Sequence, residues 1–265
     1  MVAVPRDAAT TILMREVPGV GTKPEVLMLK RHADEAFAAG AYVFPGGMLE
    51  AEDCIPASLV LSQEVPPEAA AVLMSDVQPA SKALGFWIAA LRETFEETGI
   101  LLARLADGQL WEPSPAEKIQ IAGQRRALKE GTAPFATVMH DLERYLATDL
   151  LVYFAHWITP ETRPIRFSTR FFLARVPPGL EVEPDRVEVV DHLWISPAEA
   201  LQRYAAGEMA MMTVTTKILQ TLSQFGSAAD AVRKLRYAPV ETVLPKAVVQ
   251  DDGSTRMVYP GDEGY

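Results

Sequence analysis

The sequence predicts an α+β chain in which helices cover both faces of one mixed sheet, an α/β/α sandwich. Three observations predict it. The chain has 265 residues, 49% of them hydrophobic, enough for one large domain or two small ones. Its apolar runs divide into short β-branched or aromatic segments and one long helical stripe. Their order lacks a regular βαβ alternation, which favours such a sandwich over a doubly wound sheet.

Residues 8–16 and 25–31 are short and apolar-rich, with Thr10, Thr11 and Ile12 β-branched in the first. Pro18-Gly19-Val20-Gly21 separates them, which predicts two antiparallel strands joined by a loop. A short strand over 41–44 ends at Pro45-Gly46-Gly47. Residues 53–79 are rich in Pro, Ala and Glu and read as loop with a helical turn or two. Leu84, Ile88, Leu91 and Phe95 recur at i, i+4, i+7 and i+11, which predicts a helix over 81–98 with Ser81 as its N-cap. Residues 114–129 and 135–147 read as two more helices; 151–159, 169–176 and 187–195 read as strands. Ser196-Pro197-Ala198-Glu199 supplies an N-cap, proline at N1 and glutamate at N3, and 212–225 is the last expected helix. Beyond Gly226, residues 240–249 and 256–259 flank Asp251-Asp252-Gly253-Ser254 and predict a hairpin. The expected organisation is one domain over 1–225 and an extension over 226–265, a hairpin or a dimer arm.

Composition narrows the function. A net charge of −10 argues against a phosphate-backbone binder, so no nucleic-acid partner is expected. No apolar run approaches the roughly 18–20 residues that span a bilayer, so no membrane partner is expected either. The first residues lack the basic and apolar regions of a signal peptide, and the last match no common retention or peroxisomal address. The single cysteine, Cys54, excludes an internal disulfide and a cysteine-based zinc site. A cytoplasmic location is expected.

The segment Arg92-Glu93-Thr94-Phe95-Glu96-Glu97-Thr98-Gly99-Ile100 carries the strongest chemical signal. On a helix, Glu93, Glu96 and Glu97 share one face, where like charges repel. They crowd the last turn before Gly99, a natural C′ residue, at the negative end of the helix dipole. Three anions where local physics resists them imply a cation. Hard divalent ions take carboxylate oxygens, and Mg²⁺ binds through one or two carboxylates together with substrate phosphates.

Joined to the upstream glycines, this segment resembles the box of the Nudix hydrolases. Gly47 is followed by five residues and Asp53, where that box has glutamate; Arg92-Glu93, Glu96-Glu97, Gly99 and Ile100 match its second half. The stretch 54–91 stands where the usual box has seven residues. An insertion at this place is similar to one subgroup, the peroxisomal coenzyme A diphosphatases and their bacterial relatives. Leu27-Met28-Leu29-Lys30-Arg31, Gly40 and Phe44-Pro45-Gly46-Gly47 resemble the signature that precedes the box there, with His32 and Ala36 as departures. His156-Trp157-Ile158-Thr159-Pro160, Arg170-Phe171-Phe172-Leu173 and the segment from Trp194 extend the likeness to about residue 225.

The resemblance implies a Nudix fold with an insertion over about 54–80 and extra helices around 114–147. It implies metal-dependent hydrolysis of a nucleoside diphosphate derivative, with Mg²⁺ or Mn²⁺ held by Glu93, Glu96, Glu97 and the Gly47 carbonyl. Arg92 would orient a glutamate of the cluster, with Glu96, four residues on, within reach. Glu93 is a candidate for both ligand and base, the alternative being a base on a later loop. Gly46 lets the backbone approach the phosphates, Phe44 reads as core or as a candidate substrate contact, and Arg31 either meets a phosphate or neutralises the acidic site. The inserted segment reads as a lid, a dimer contact or a tolerated surface loop, and the superfamily allows a homodimer. Coenzyme A or acyl-CoA is the first substrate; an ADP-ribose or nucleotide-sugar pyrophosphatase and a non-hydrolytic nucleotide-binding module are the alternatives. The four histidines show no metal-ligand spacing and read as structural.

Overall fold

Alternate residues of the first strand face opposite layers, and that alternation sets the architecture. The computed structural model describes all residues except 1, 18, 20–22, 35–37, 251 and 252. Ala36, most of the 18–21 loop and half of the 251–254 turn therefore lie outside the described residues. In β1 (Arg6–Arg15), Ala9 and Leu13 are buried in one core, Ile12 and Met14 in another. β2 (Glu25–Arg31) repeats this with Leu27 and Leu29 against Val26 and Met28. A sheet buried on both faces needs a layer on each, and the predicted sandwich is what is observed.

β1 and β2 pair antiparallel near their connection, Met14 opposite Val26 and Arg15 opposite Glu25. Farther along, β2 takes β3 (Tyr42–Val43) and β1 takes β4 (Gly46–Met48). The strand expected over 41–44 is thus the first of two, broken at Pro45, which has no N–H for a ladder. The Pro45 carbonyl instead accepts the Thr11 N–H at 2.8 Å. This arrangement delivers Gly46 and Gly47 to the face where the acidic helix lies.

The inserted segment is a packed layer and not a loose loop. After a 3₁₀ turn over Ala51–Cys54 come α1 (Pro56–Leu59) and α2 (Pro67–Leu73), each with proline in its first turn. Leu61, Ala70, Met74 and Val77 are buried in the same core as α3 (Ala80–Thr98), which is why α3 is buried on every side. The N-cap of α3 is Pro79; Ser81, the expected cap, lies inside the first turn, two residues past it. Gly99 ends the helix in the left-handed region at φ 75°, its N–H bonded to the Phe95 carbonyl.

β5 (Ala103–Arg104) precedes α4 (Pro115–Lys129), which starts with a reciprocal Ser114–Glu117 capping box. α5 (Phe135–Asp141) is shorter than the expected 135–147, because the chain turns at Glu143 (φ 54°) into β6 (Tyr145–Leu146), which pairs with β5. β7 (Val152–Ile158) runs antiparallel to β8 (Phe167–Val176), and β8 lies parallel to β1 along its whole length. β9 (Val189–Ile195) takes the other side of β2. α6 (Pro197–Ala205), capped by Ser196 as expected, and α7 (Thr213–Leu222) cover the second face.

The tail continues this body. α8 (Ala228–Leu235), absent from the expected elements, buries Ala228, Ala231 and Leu235 in the second core. β10 (Thr242–Val243) adds to β7, and β11 (Lys246–Val249) with β12 (Thr255–Val258) forms the expected hairpin. A boundary at residue 225 cuts through one packed layer. Among the described residues, no helix is long and apolar enough to cross a membrane.

His156 shows how the tail is fastened. It is buried in β7, with Nδ1 2.8 Å from Thr242 Oγ1 and Nε2 2.8 Å from Ser168 Oγ. Burial, and then the nearby Arg170 charge, push its pKa down to about 4 from an ordinary 6.5. The unfolded chain takes the proton first, so the contribution to stability is whole above pH 6.5 and lost as pH falls towards 4. Denaturation midpoints are expected to fall across that window, by on the order of 1–2 kcal/mol after solvent screening. His156→Gln should flatten this part of the profile; an unchanged slope would refute the assignment.

Candidate active site

Arg92 is the hub of the site. It is buried, and its guanidinium grips Asp53 bidentately: Nε to Oδ1 and Nη2 to Oδ2, both 2.9 Å. Nη2 also donates to the Met48 carbonyl at 2.9 Å. Nη1 donates to Oε1 of Glu93 at 2.9 Å and to Oε1 of Glu96 at 3.0 Å. The i+4 bond to Glu96 is the expected one. The bond to Glu93 and the backbone contact are not legible in helical spacing. Asp53 Oδ2 in turn accepts the Glu50 N–H at 2.9 Å, so this side chain ties the entry of the inserted segment to the end of α3.

Glu97 is engaged differently. It is 3% exposed, and its Oε2 accepts the Gly46 N–H at 2.9 Å. Burial pushes its pKa well up, the Glu93 charge adds to this, and the Gly46 bond and Arg31 oppose it. Burial also pushes Glu93 up to about 7 against the pull of Arg92, and raises Glu96 in the same way. The protein alone leaves these carboxylates short of positive charge.

The two glycines are needed for space and not for a left-handed backbone. A Cβ on Gly47 would overlap the Glu93 carboxylate, and one on Gly46 would stand 2.5 Å from the Ala9 carbonyl oxygen. Gly47→Ala is expected to leave the fold intact and to cost about 10²-fold in turnover, because Glu93 must move by roughly an ångström. Steady-state kinetics beside a melting curve checks this; wild-type turnover would show that the close approach has no function.

Two features offset the acidic helix end. Arg125 of α4 donates to the Glu96 carbonyl from Nε at 3.0 Å and from Nη2 at 2.8 Å. The Glu183 N–H donates to the Thr98 carbonyl at 2.8 Å. Both meet the orphan carbonyls of the last turn. Lys129, one turn beyond Arg125, pairs with Asp185, whose Oδ1 accepts the N–H groups of Val187, Glu188 and Val189. That loop places Glu188 beside the site, its Oε2 3.8 Å from Arg31 Nη2. Nothing in the sequence near these residues ties them to the box; only the packing of α4 and of the loop before β9 does.

Phe44 takes the core reading of the two. It is 4% exposed and packs in the second core among residues such as Met28 and Ile218, so its ring does not face the carboxylates. Arg31 lies near Glu97 and lowers its pKa, which favours neutralisation over a free phosphate contact.

Among the described residues, no three carboxylates, histidines or thiols form a ready metal cage. Arg92 Nη1 holds one oxygen of Glu93 and one of Glu96, and their second oxygens are not engaged by Arg92. The donor chemistry nevertheless fits a hard divalent ion: three desolvated carboxylates on one helical turn, in mutual repulsion, with a backbone segment pressed against them.

A glycine-rich strand pressed against an Arg-Glu-x-x-Glu-Glu helix end, on a mixed sheet between helices, is the arrangement of a Nudix hydrolase. Residues 5–214 match the family model described as the NUDT19 Nudix domain, and the chain belongs to that family. It is similar to the acyl-coenzyme A diphosphatase NUDT19 of Gallus gallus, 31% identical over 301 residues, covering 98% of this chain and 79% of that protein. The Homo sapiens protein of the same name is 28% identical over 296 residues, covering 98% and 76%. Among solved structures, a NUDIX hydrolase from Alicyclobacillus acidocaldarius superposes with a TM-score of 0.67 at 24% identity, over 90% of this chain and 100% of that one. That likeness carries the fold.

Proposed function

We propose that this Nudix hydrolase cleaves the diphosphate linkage of coenzyme A or an acyl-CoA, giving 3′,5′-ADP and the corresponding 4′-phosphopantetheine. The observation that carries it is the near full-length similarity to acyl-coenzyme A diphosphatases, through and beyond the inserted segment. Glu93, Glu96, Glu97 and the Gly47 carbonyl would hold Mg²⁺ or Mn²⁺. Such an ion, when bound, neutralises the diphosphate and lowers the pKa of a coordinated water. Arg92 keeps Glu93 and Glu96 in place, and Gly46 fixes Glu97 through its N–H. Glu93 is the candidate for both ligand and base, placed by Arg92 to take a proton from the attacking water. The water oxygen forms the new P–O bond, the bridging P–O bond breaks, and the departing phosphate leaves with the electron pair. Arg31 offsets the Glu97 charge, and Gly46 lets the backbone approach the phosphates. The negative net charge supports a small-molecule partner, and the single thiol supports a cytoplasmic setting.

The test is a substrate panel of CoA, acyl-CoA, ADP-ribose, NADH and diadenosine polyphosphates with Mg²⁺ or Mn²⁺. CoA or acyl-CoA should be consumed, with both products in equal amounts. Turnover of ADP-ribose with CoA untouched would overturn the substrate assignment. Chelation should abolish activity and lower the melting temperature relative to the Mn²⁺-loaded protein, because an ion bound only by the folded state stabilises it. Undiminished turnover in chelator would refute the metal assignment.

A further inference from the structure

A cavity of about 510 Å³ opens beside the box, outside the carboxylate cluster. Met48, Leu49, Ala51, Cys54 and Pro79 line it, with Lys82 at its far end. We propose that it receives the acyl-pantetheine arm of the substrate, a proposal that rests on the function given above.

Four observations converge on this occupant. The cavity adjoins the site: Met48 gives its carbonyl to Arg92, and Glu50, which also lines it, lies 3.9 Å from Arg92 Nη1. Its far end is remote from the charged site, since Lys82 precedes Arg92 by ten residues of one helix, about 15 Å along the axis. Its exposed surface is mostly apolar, although Arg6, Asp7, Glu50 and Lys82 also line it, and it leaves Met48 44% exposed beside a site that handles phosphates. A flexible chain of methylenes and amides attached to a diphosphate matches that sequence of surfaces, and its volume lies in the usual range for small-molecule sites. Finally, the inserted segment meets the cavity at both its ends: Cys54 stands where that segment leaves the box, and Pro79 stands where it returns to α3. Cys54 and Leu49, which line the cavity, rest on Gly85 of α3. The insertion thus adds Cys54 and Pro79 to a lining otherwise made by β1, the box and the start of α3.

The phosphate end sits at the carboxylates, pantetheine runs past Ala51, and the acyl end lies near Pro79 and Ser81. Two variants of the full-length chain test this, neither in the catalytic machinery. Ala51→Phe narrows the near part and should weaken binding of 4′-phosphopantetheine about tenfold or more while leaving 3′,5′-ADP unchanged, by calorimetry. Ser81→Trp blocks the far part and should lower kcat/KM for octanoyl-CoA about tenfold while sparing CoA. If the wild type cleaves both substrates and the variants keep its product affinities and its octanoyl-CoA to CoA ratio, the cavity assignment falls and the hydrolytic function stands. Equal weakening of both products by Ala51→Phe, or equal loss on both substrates by Ser81→Trp, also overturns it, as general damage. A wild type that cleaves neither substrate sinks the underlying function and this assignment with it.

Discussion

Glu97→Gln is expected to abolish hydrolysis while leaving the metal-free protein as stable as before, or more so. Glu97 is 3% exposed, and Glu93 repels it. Keeping a carboxylate there opposes folding unless a cation is present. Glutamine keeps the shape, and its amide oxygen can still accept the Gly46 N–H now bonded at 2.9 Å. It removes the charge that makes the position costly and that the metal requires. Turnover should fall about 10³-fold or more, ~4 kcal/mol of transition-state stabilisation. The melting temperature without metal should hold or rise, and the increase on adding Mn²⁺ should shrink. A variant that unfolds would show that Glu97 is a structural carboxylate; one that keeps turnover would remove it from the site.

The acidic turn was legible because helical spacing is local: Glu93, Glu96 and Glu97 announce a shared face, and Gly99 its end. Gly46 and Gly47 were legible as part of a pattern, although their physical reason is the space taken by the Ala9 carbonyl and the Glu93 carboxylate. Residues whose roles arise from packing were not legible. Arg125 reaches the Glu96 carbonyl from a helix 29 positions away, and no periodicity encodes that. The inserted segment read as loop because its buried residues include Ala70, too small to mark a stripe, although proline at the start of α1 and α2 was a valid helix signal. α8 escaped for a similar reason: two of its core contacts are alanines, 228 and 231. Phe44 was readable both ways, as core or as substrate contact, and only packing decides: its ring lies in the second core.

Breaking the Asp53–Arg92 pair from its two sides should produce opposite responses to metal. Both side chains are nearly fully buried and share two bonds of 2.9 Å. Removing one partner from such a pair costs about 3–5 kcal/mol, a large share of a typical 5–15 kcal/mol stability. Asp53→Ala leaves a buried guanidinium still attracted to Glu93 and Glu96. The excess charge is positive, so Mn²⁺ should restore little stability, and Arg92 should hold the two glutamates more tightly against the ion. Arg92→Met leaves the buried Asp53 and the half-buried Glu93 and Glu96 as anions without their cation. Here Mn²⁺ should recover a measurable part of the lost stability while turnover stays low, because the glutamates are no longer held in register. Asp53→Glu keeps the charge but adds a methylene at a site 1% exposed, at a cost of about 1–3 kcal/mol. The longer arm must also give up the bond from the Glu50 N–H or the fork to Arg92. Denaturation curves of the three variants, each with chelator and with Mn²⁺, separate these cases. Equal metal responses in Asp53→Ala and Arg92→Met would mean that the ion does not share the field of Arg92, and would move the metal away from Glu93 and Glu96.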